Sequence, residues 1–81
     1  MNHVYVIESK EGFRYIGSTT DLPKRLYQHQ NQLAGWTKRG SDWRLVYSEE
    51  FMIYAEARKR EKWMKTGIGR DFLKSLLSSG L

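Results

Sequence analysis

The run from Tyr15 to His29, Tyr-Ile-Gly-Ser-Thr-Thr-Asp-Leu-Pro-Lys-Arg-Leu-Tyr-Gln-His, leaves the chain few ways to fold. An aromatic and β-branched run meets Gly17, then a polar corner, then a helix opening. Asp21 is placed to cap that helix, because its carboxylate can accept from backbone N–H groups one turn in. Pro23 fits the first turn, where an N–H has no helical partner. The reading is strand, corner and helix, with Arg25 and His29 one turn apart on one helical face. A strand phenol then stands beside a helical cation.

The preceding residues supply the strand's partner. Val4 and Val6 alternate with Tyr5 and Ile7, the period of a half-buried strand. Lys10-Glu11-Gly12 reads as a three-residue hairpin loop with Gly12 in the left-handed region. That loop length sets Tyr15 opposite Ile7 and Gly17 opposite Tyr5, so Tyr5 and Tyr15 share a face as diagonal neighbours. A loop one residue longer or shorter would put them on opposite faces.

Beyond the corner, Leu22 to Leu33 is expected to be the first helix. Leu22, Leu26 and Leu33 form its apolar stripe, with Arg25 and His29 at the edge, half in and half out. Residues 34–42 read as a loop, Trp43 to Ser48 as a third strand in which Leu45 and Tyr47 alternate with Arg44 and Val46, and Ile53 to Lys65 as a second helix. Thr66-Gly67 is expected to end that helix with Gly67 as its left-handed cap. Gly69 to Leu77 reads as a short third helix.

One residue does not fit the second helix's pattern. Tyr54, Ala57, Glu61 and Met64 fall on one face, so Glu61 lies within an apolar stripe. A buried carboxylate needs a partner. The sequence leaves two readings open: a salt bridge to Arg58, Lys59, Arg60, Lys62, Lys65 or Arg25, or a metal-binding carboxylate aimed into a site.

Composition narrows the function classes. Eighty-one residues make a single domain spanning 1–81, and 40% apolar with 14% aromatic content is enough for a packed core. No cysteine is present, which excludes disulfides and thiolate metal sites. Two histidines cannot build a zinc site alone, whereas a hard cation on a carboxylate remains open. No apolar run has transmembrane length and the N-terminus has no apolar signal core, so no membrane partner is expected and the cytosol is the default. A net charge of +5 favours a polyanionic partner such as nucleic acid.

The ordered set of Tyr5, Tyr15-Ile16-Gly17, Arg25, His29 and Glu61 resembles the GIY-YIG nuclease domain family over nearly the whole chain. Residues 60–70, Arg-Glu-Lys-Trp-Met-Lys-Thr-Gly-Ile-Gly-Arg, are similar to the ending of its small stand-alone bacterial members. The resemblance implies an α+β fold, a small three-stranded antiparallel sheet flanked by helices. It also implies phosphodiester hydrolysis with one divalent cation, Mg²⁺ or Mn²⁺. By position, Tyr5 and Tyr15 are the motif tyrosines, Arg25 contacts phosphate, Glu61 binds the metal, and His29 matches a His-or-Tyr position. The chain departs from the pattern in two places. His3 stands where the first motif usually has Gly, and Ser18 stands where some members carry a lysine that helps the phenol ionise.

The chemistry accounts for these residue types. A free phenol, with a pKa of about 10, is a poor base at neutrality, and a nearby cation lowers that value. Tyr5 or Tyr15 is expected to activate water, with His29 as a rival base or proton shuttle. Mg²⁺ suits one carboxylate, since it keeps waters and takes substrate oxygens. Arg25 offers phosphate a planar fork that lysine cannot match. Each residue also has a structural role open to it: core tyrosines, a solvated helix edge, a salt-bridged glutamate.

Trp36, Lys38 and Arg39 form a loop suited to stacking an unpaired base and holding phosphate, although Trp36 could equally fold onto the core. Arg58, Lys62 and Lys65 are expected to track a nucleic-acid backbone without reading sequence. DNA is placed ahead of RNA, with selection by structure or by a protein partner, and monomer and weak homodimer both remain open. The rivals are a non-catalytic nucleic-acid-binding or adaptor module that keeps the fold, and a protein-interaction domain.

Overall fold

The computed structural model describes residues 1–31 and 39–79. Three strands and three helices follow in the order β1 Asn2–Glu8, β2 Arg14–Thr19, α1 Leu22–Gln30, β3 Arg44–Phe51, α2 Tyr54–Met64 and α3 Gly67–Ser79. The strands form one antiparallel sheet in the order β2-β1-β3. This is the α+β architecture that the resemblance implied.

The hairpin has the expected register, Ile7 opposite Tyr15 and Tyr5 opposite Gly17. Gly12 closes its loop at φ +96°, a conformation that costs a residue with a Cβ. The strand alternation of β1 then builds two cores, one on each sheet face. Val4 and Val6 pack with Met64 and Leu73 under α2 and α3. Tyr5 and Ile7 pack with Trp43, Tyr15, Leu22 and Leu26 under α1.

Helix α1 starts as expected, with the Asp21 carboxylate accepting from the Lys24 N–H at 3.2 Å. Its buried face differs from the sequence reading. His29 is wholly buried, not half exposed, and Arg25 is partly buried. Leu22, Leu26 and His29 are spaced i, i+4, i+7, so His29 completes the stripe that lies on the sheet. Leu33 falls outside the described residues.

Strand β3 is longer than expected and does not keep the predicted alternation. Between Val6 and Ile7 the register slips, so that Tyr47 opposes Val6 while Leu45 opposes Ile7. The extra residue, Val46, bulges, and both Val46 and Tyr47 reach the α2–α3 core. The strand runs on to Phe51, whose carbonyl accepts from the Asn2 side-chain amide at 3.2 Å.

Gly67 does not cap α2 in a left-handed conformation; it opens α3. Thr66 causes this, because its hydroxyl accepts from the Gly69 N–H at 3.2 Å and donates to the Trp63 carbonyl at 2.6 Å. The same side chain that finishes α2 thus N-caps α3. Two helices joined so tightly need a small residue at the crossing. A Cβ on Gly69 would lie 2.1 Å from the Trp63 carbonyl oxygen and 2.5 Å from the Met64 Cα.

Candidate active site

Strand β2 carries the site on both of its faces. On the α1 face, Tyr5, Tyr15 and His29 form a compact aromatic group. Ring centroids are 4.9 Å apart for Tyr15–His29, 5.6 Å for Tyr5–His29 and 6.2 Å for Tyr5–Tyr15. The Tyr5 hydroxyl lies 2.7 Å from His29 Nε2, a buried hydrogen bond. The absence of a side chain at Gly17 makes this packing possible. A Cβ there would lie 2.6 Å from the Tyr5 hydroxyl and 2.9 Å from the Tyr15 ring.

The guanidinium of Arg25 lies close enough to both phenols for each to favour its charged form. Its Nη1 also donates to the Gln28 side-chain oxygen at 2.9 Å. The pairing with Tyr5 is the largest influence on Arg25 and outweighs burial, which keeps it firmly charged.

These interactions set the protonation states. Burial pushes the Tyr5 phenol up to about 12, and the opposing pull of Arg25 does not overcome it. This corrects the expectation that a nearby cation would make this phenol more acidic. Burial, and then the charge of Arg25, pull His29 down to about 4. At neutral pH Tyr5 is therefore a neutral phenol and His29 a neutral imidazole.

A pH-dependent stability follows from this. The folded His29 has a lower pKa than an unfolded one at 6.5, so the unfolded chain binds more protons in that interval. Stability should fall as pH drops from about 6.5 towards 4, by at most about 3 kcal/mol. Urea unfolding across that range checks this, and His29→Gln should flatten the profile there.

On the opposite face, Ser18 points to α2. Its hydroxyl donates to Glu61 Oε1 at 2.6 Å, while Lys65 Nζ lies 2.7 Å from Glu61 Oε2 and Arg58 Nε 3.8 Å from Oε1. The Glu61 side chain is only 15% exposed. Burial raises its pKa, but Lys65 and Ser18 together outweigh that and hold it below the usual carboxylate value. The salt-bridge reading of Glu61 is the one the contacts bear out. The carboxylate is salt-bridged, though to Lys65 and Arg58 and not to Arg25, and it stays ionised beside the site. Its charge reaches Tyr5, where it opposes ionisation of the phenol.

A polar groove runs from the end of β2 along α1. Ser18, Thr19, Thr20, Asp21, Lys24, Arg25, Gln28 and Tyr54 line it. Arg25 and the Glu61-bound Ser18 both line it, while Glu61 and the phenol–imidazole group do not. Tyr54, 39% exposed, stands at its rim instead of in the core.

The remaining expected residues divide. Arg58, Lys62 and Lys65 are exposed along α2, and Arg58 and Lys62 share a shallow basic hollow with Lys59. Arg39 is exposed, whereas Trp36 and Lys38 lie outside the described residues. Sequence reasoning missed Ser18 as the partner of Glu61 and Gln28 as the partner of Arg25. The i, i+3 spacing of Arg25 and Gln28 was a usable signal. Nothing in the spacing of Ser18 and Glu61, 43 residues apart, could have joined them. Among the described residues no cluster of three acidic, histidine or cysteine side chains could hold a metal, and no helix is long and apolar enough to cross a membrane.

The model of the GIY-YIG catalytic domain matches residues 1–69. A UPF0213 protein of Staphylococcus saprophyticus is 39% identical over 80 residues, covering 98% of this chain and 96% of that protein. A UPF0213 protein of Clostridium perfringens is 38% identical over 66 residues, 80% of this chain and 71% of that one. The solution NMR structure of a UPF0213 protein from Bacillus halodurans superposes with a TM-score of 0.58 at 32% identity, covering 99% of this chain and 89% of that one. The chain belongs to the GIY-YIG catalytic-domain family, a membership that implies endonuclease-type chemistry on nucleic acid.

Proposed function

We propose that the protein is a divalent-metal-dependent endonuclease that hydrolyses phosphodiester bonds in nucleic acid, DNA ahead of RNA, selecting its target by structure. The observation that supports this reading is that β2 carries the phenol–imidazole group on one face and the Ser18–Glu61 pair on the other, with Arg25 and Ser18 lining one polar groove.

Mg²⁺ or Mn²⁺ fits this site. Glu61 and Ser18 present only oxygen, and the carboxylate is ionised at neutrality. Lys65 and Arg58, about half exposed, can withdraw to solvent when a cation takes their place. Glu61 would hold the ion, which supplies charge neutralisation at the phosphate and the leaving oxygen.

The protein's own residues divide the remaining work. Arg25 binds the non-bridging phosphate oxygens, and its charge counts most when negative charge builds in the transition state. Tyr15 is the less buried phenol and orients the attacking water. His29 is the unprotonated nitrogen base of the group and takes the proton that leaves the water through the Tyr15 phenol. Tyr5 is buried and hydrogen-bonded to His29, so it positions the imidazole. The new P–O bond forms as the bond to the leaving oxygen breaks. The cysteine-free chain suits the reducing cytosol.

The test is a variant series assayed for metal-dependent strand cleavage. Tyr15→Phe and His29→Ala should each lose about a hundredfold in rate, and Tyr5→Phe about tenfold. Full activity in all three would exclude this division of roles.

One observation favours a second reading. Lys65 already neutralises Glu61, as a non-catalytic binding module would require. Such a module holds DNA equally well in EDTA and never nicks it.

A further inference from the structure

Strand β2 is an edge of the sheet, and its outer side opens into a groove that the family motif does not explain. Arg14, Tyr15 and Ile16 form one wall, and Arg70, Asp71, Leu73 and Lys74 of α3 form the other, with Lys65 at one end. Arg14, Lys65, Arg70 and Lys74 are all exposed, and Asp71 is the single acid among the lining residues. Ile16, partly exposed, gives the groove an apolar floor, with the buried Leu73 behind it. Charges on a sheet edge can guard against stray strand pairing, but guard charges need no apolar floor between them.

Two residues join this groove to the candidate active site. Tyr15 borders it at the strand, while its ring lies on the other face of the sheet, 4.9 Å from that of His29. Lys65 lines it while its ammonium bonds Glu61 at 2.7 Å. Ser18, which lines the Arg25 groove, holds the same carboxylate, so Glu61 is contacted by one residue from each groove. Together they run the length of β2, from Arg14 to Thr19.

We propose that the β2–α3 groove binds an unpaired nucleotide segment next to the scissile phosphate, with a base against Ile16 and phosphates on Arg70 and Lys74. Chemistry selects this occupant. A duplex keeps its bases stacked and offers a convex row of phosphates, which meets the rim but not the floor. An unpaired nucleotide offers both a flat apolar face and an anion. The proposal rests on the nucleic-acid reading of the site but not on turnover. It gives the structure selectivity a source, since a target must have an unpaired stretch to fill both grooves.

Binding in EDTA separates this proposal from catalysis. Short labelled oligothymidine and a blunt duplex of equal length are titrated against wild type, Lys74→Glu and Arg70→Glu/Lys74→Glu at several salt concentrations. The single variant is needed because Arg70 Nε also donates to the Lys65 carbonyl at 3.2 Å, so its loss could disturb the end of α2. Lys74→Glu should weaken oligothymidine binding about fivefold. The double variant should weaken it more than tenfold, with a salt slope shallower by about 1.4, or about 0.7 for each phosphate left without its cation. Duplex binding should change less. Unchanged oligothymidine affinity and slope in Lys74→Glu, no oligothymidine binding by wild type, or tighter binding of duplex would each overturn the proposal. If wild type binds oligothymidine through these residues but never cuts with Mg²⁺, the track stands and the nuclease reading fails. If it cuts and the charge reversals change nothing, the track fails and the nuclease reading stands.

Discussion

Glu61→Gln should reduce metal-dependent cleavage about a thousandfold while leaving the fold in place. The isosteric amide keeps an oxygen to accept from the Ser18 hydroxyl, so the packing between α2 and β2 survives. The charge that would anchor a cation is lost, and a contribution of about 4 kcal/mol to the barrier corresponds to that factor. Stability should change little. The ion pairs given up involve a Lys65 side chain 47% exposed and an Arg58 side chain 53% exposed, and exposed pairs of this kind contribute about 1 kcal/mol or less. The melting temperature should fall by no more than about 8 °C. Circular dichroism melts and a nicking assay on the same preparation separate the two roles. A large drop in melting temperature with cleavage intact would make Glu61 a structural residue only.

Gly69→Ala should be the most damaging single-methyl change in the fold. In an ordinary helix interior this substitution stabilises, by up to about 1 kcal/mol. Here the added carbon would lie 2.1 Å from the Trp63 carbonyl oxygen, a backbone atom that cannot rotate away. Helices α2 and α3 must then separate, which opens the core shared by Met64 and Leu73. The expected cost is about 3 kcal/mol, seen as a melting temperature lower by about 15 °C. Gly67→Ala is the control. Nothing lies within 4 Å of a Cβ there, and its backbone is not left-handed, so that change should be neutral or slightly stabilising. Equal melting temperatures for the two variants would contradict the crossing described between α2 and α3.

What the sequence disclosed was whatever depends on spacing along one element or across one short loop. The hairpin parity that puts Tyr5 beside Tyr15 follows from three loop residues, and the structure has that register. The Asp21 cap and the two-faced strand β1 are similarly local. The failures all involve tertiary context. Val46 bulges because α2 and α3 demand two neighbouring side chains from β3, which no strand period reveals. His29 is buried because the sheet lies beneath it, although its helical position alone set it at an edge. Gly67 looked like a helix stop until Thr66 was seen to serve two helices at once. At the site, the residue types and their order were legible. The two-sided arrangement around β2 was not, since it depends on α2 bringing Glu61 to Ser18 from 43 residues away.

The protonation states refine the chemical picture. A phenol pushed up to about 12 and an imidazole held near 4 are not a ready phenolate and its acid partner. They form a neutral, hydrogen-bonded pair buried behind the more accessible Tyr15. Arg25, held in its charged form beside the phenols, is the cation of this group that lines the polar groove.

The most direct measurement incubates the wild-type protein with end-labelled single-stranded, duplex, flapped and branched DNA and their RNA counterparts, in Mg²⁺, in Mn²⁺ and in EDTA. The account predicts strand scission of at least one substrate that has an unpaired stretch, present with either metal, absent in EDTA and lost in Arg25→Ala. Substrates bound equally in all three buffers, and intact after prolonged incubation, would contradict it.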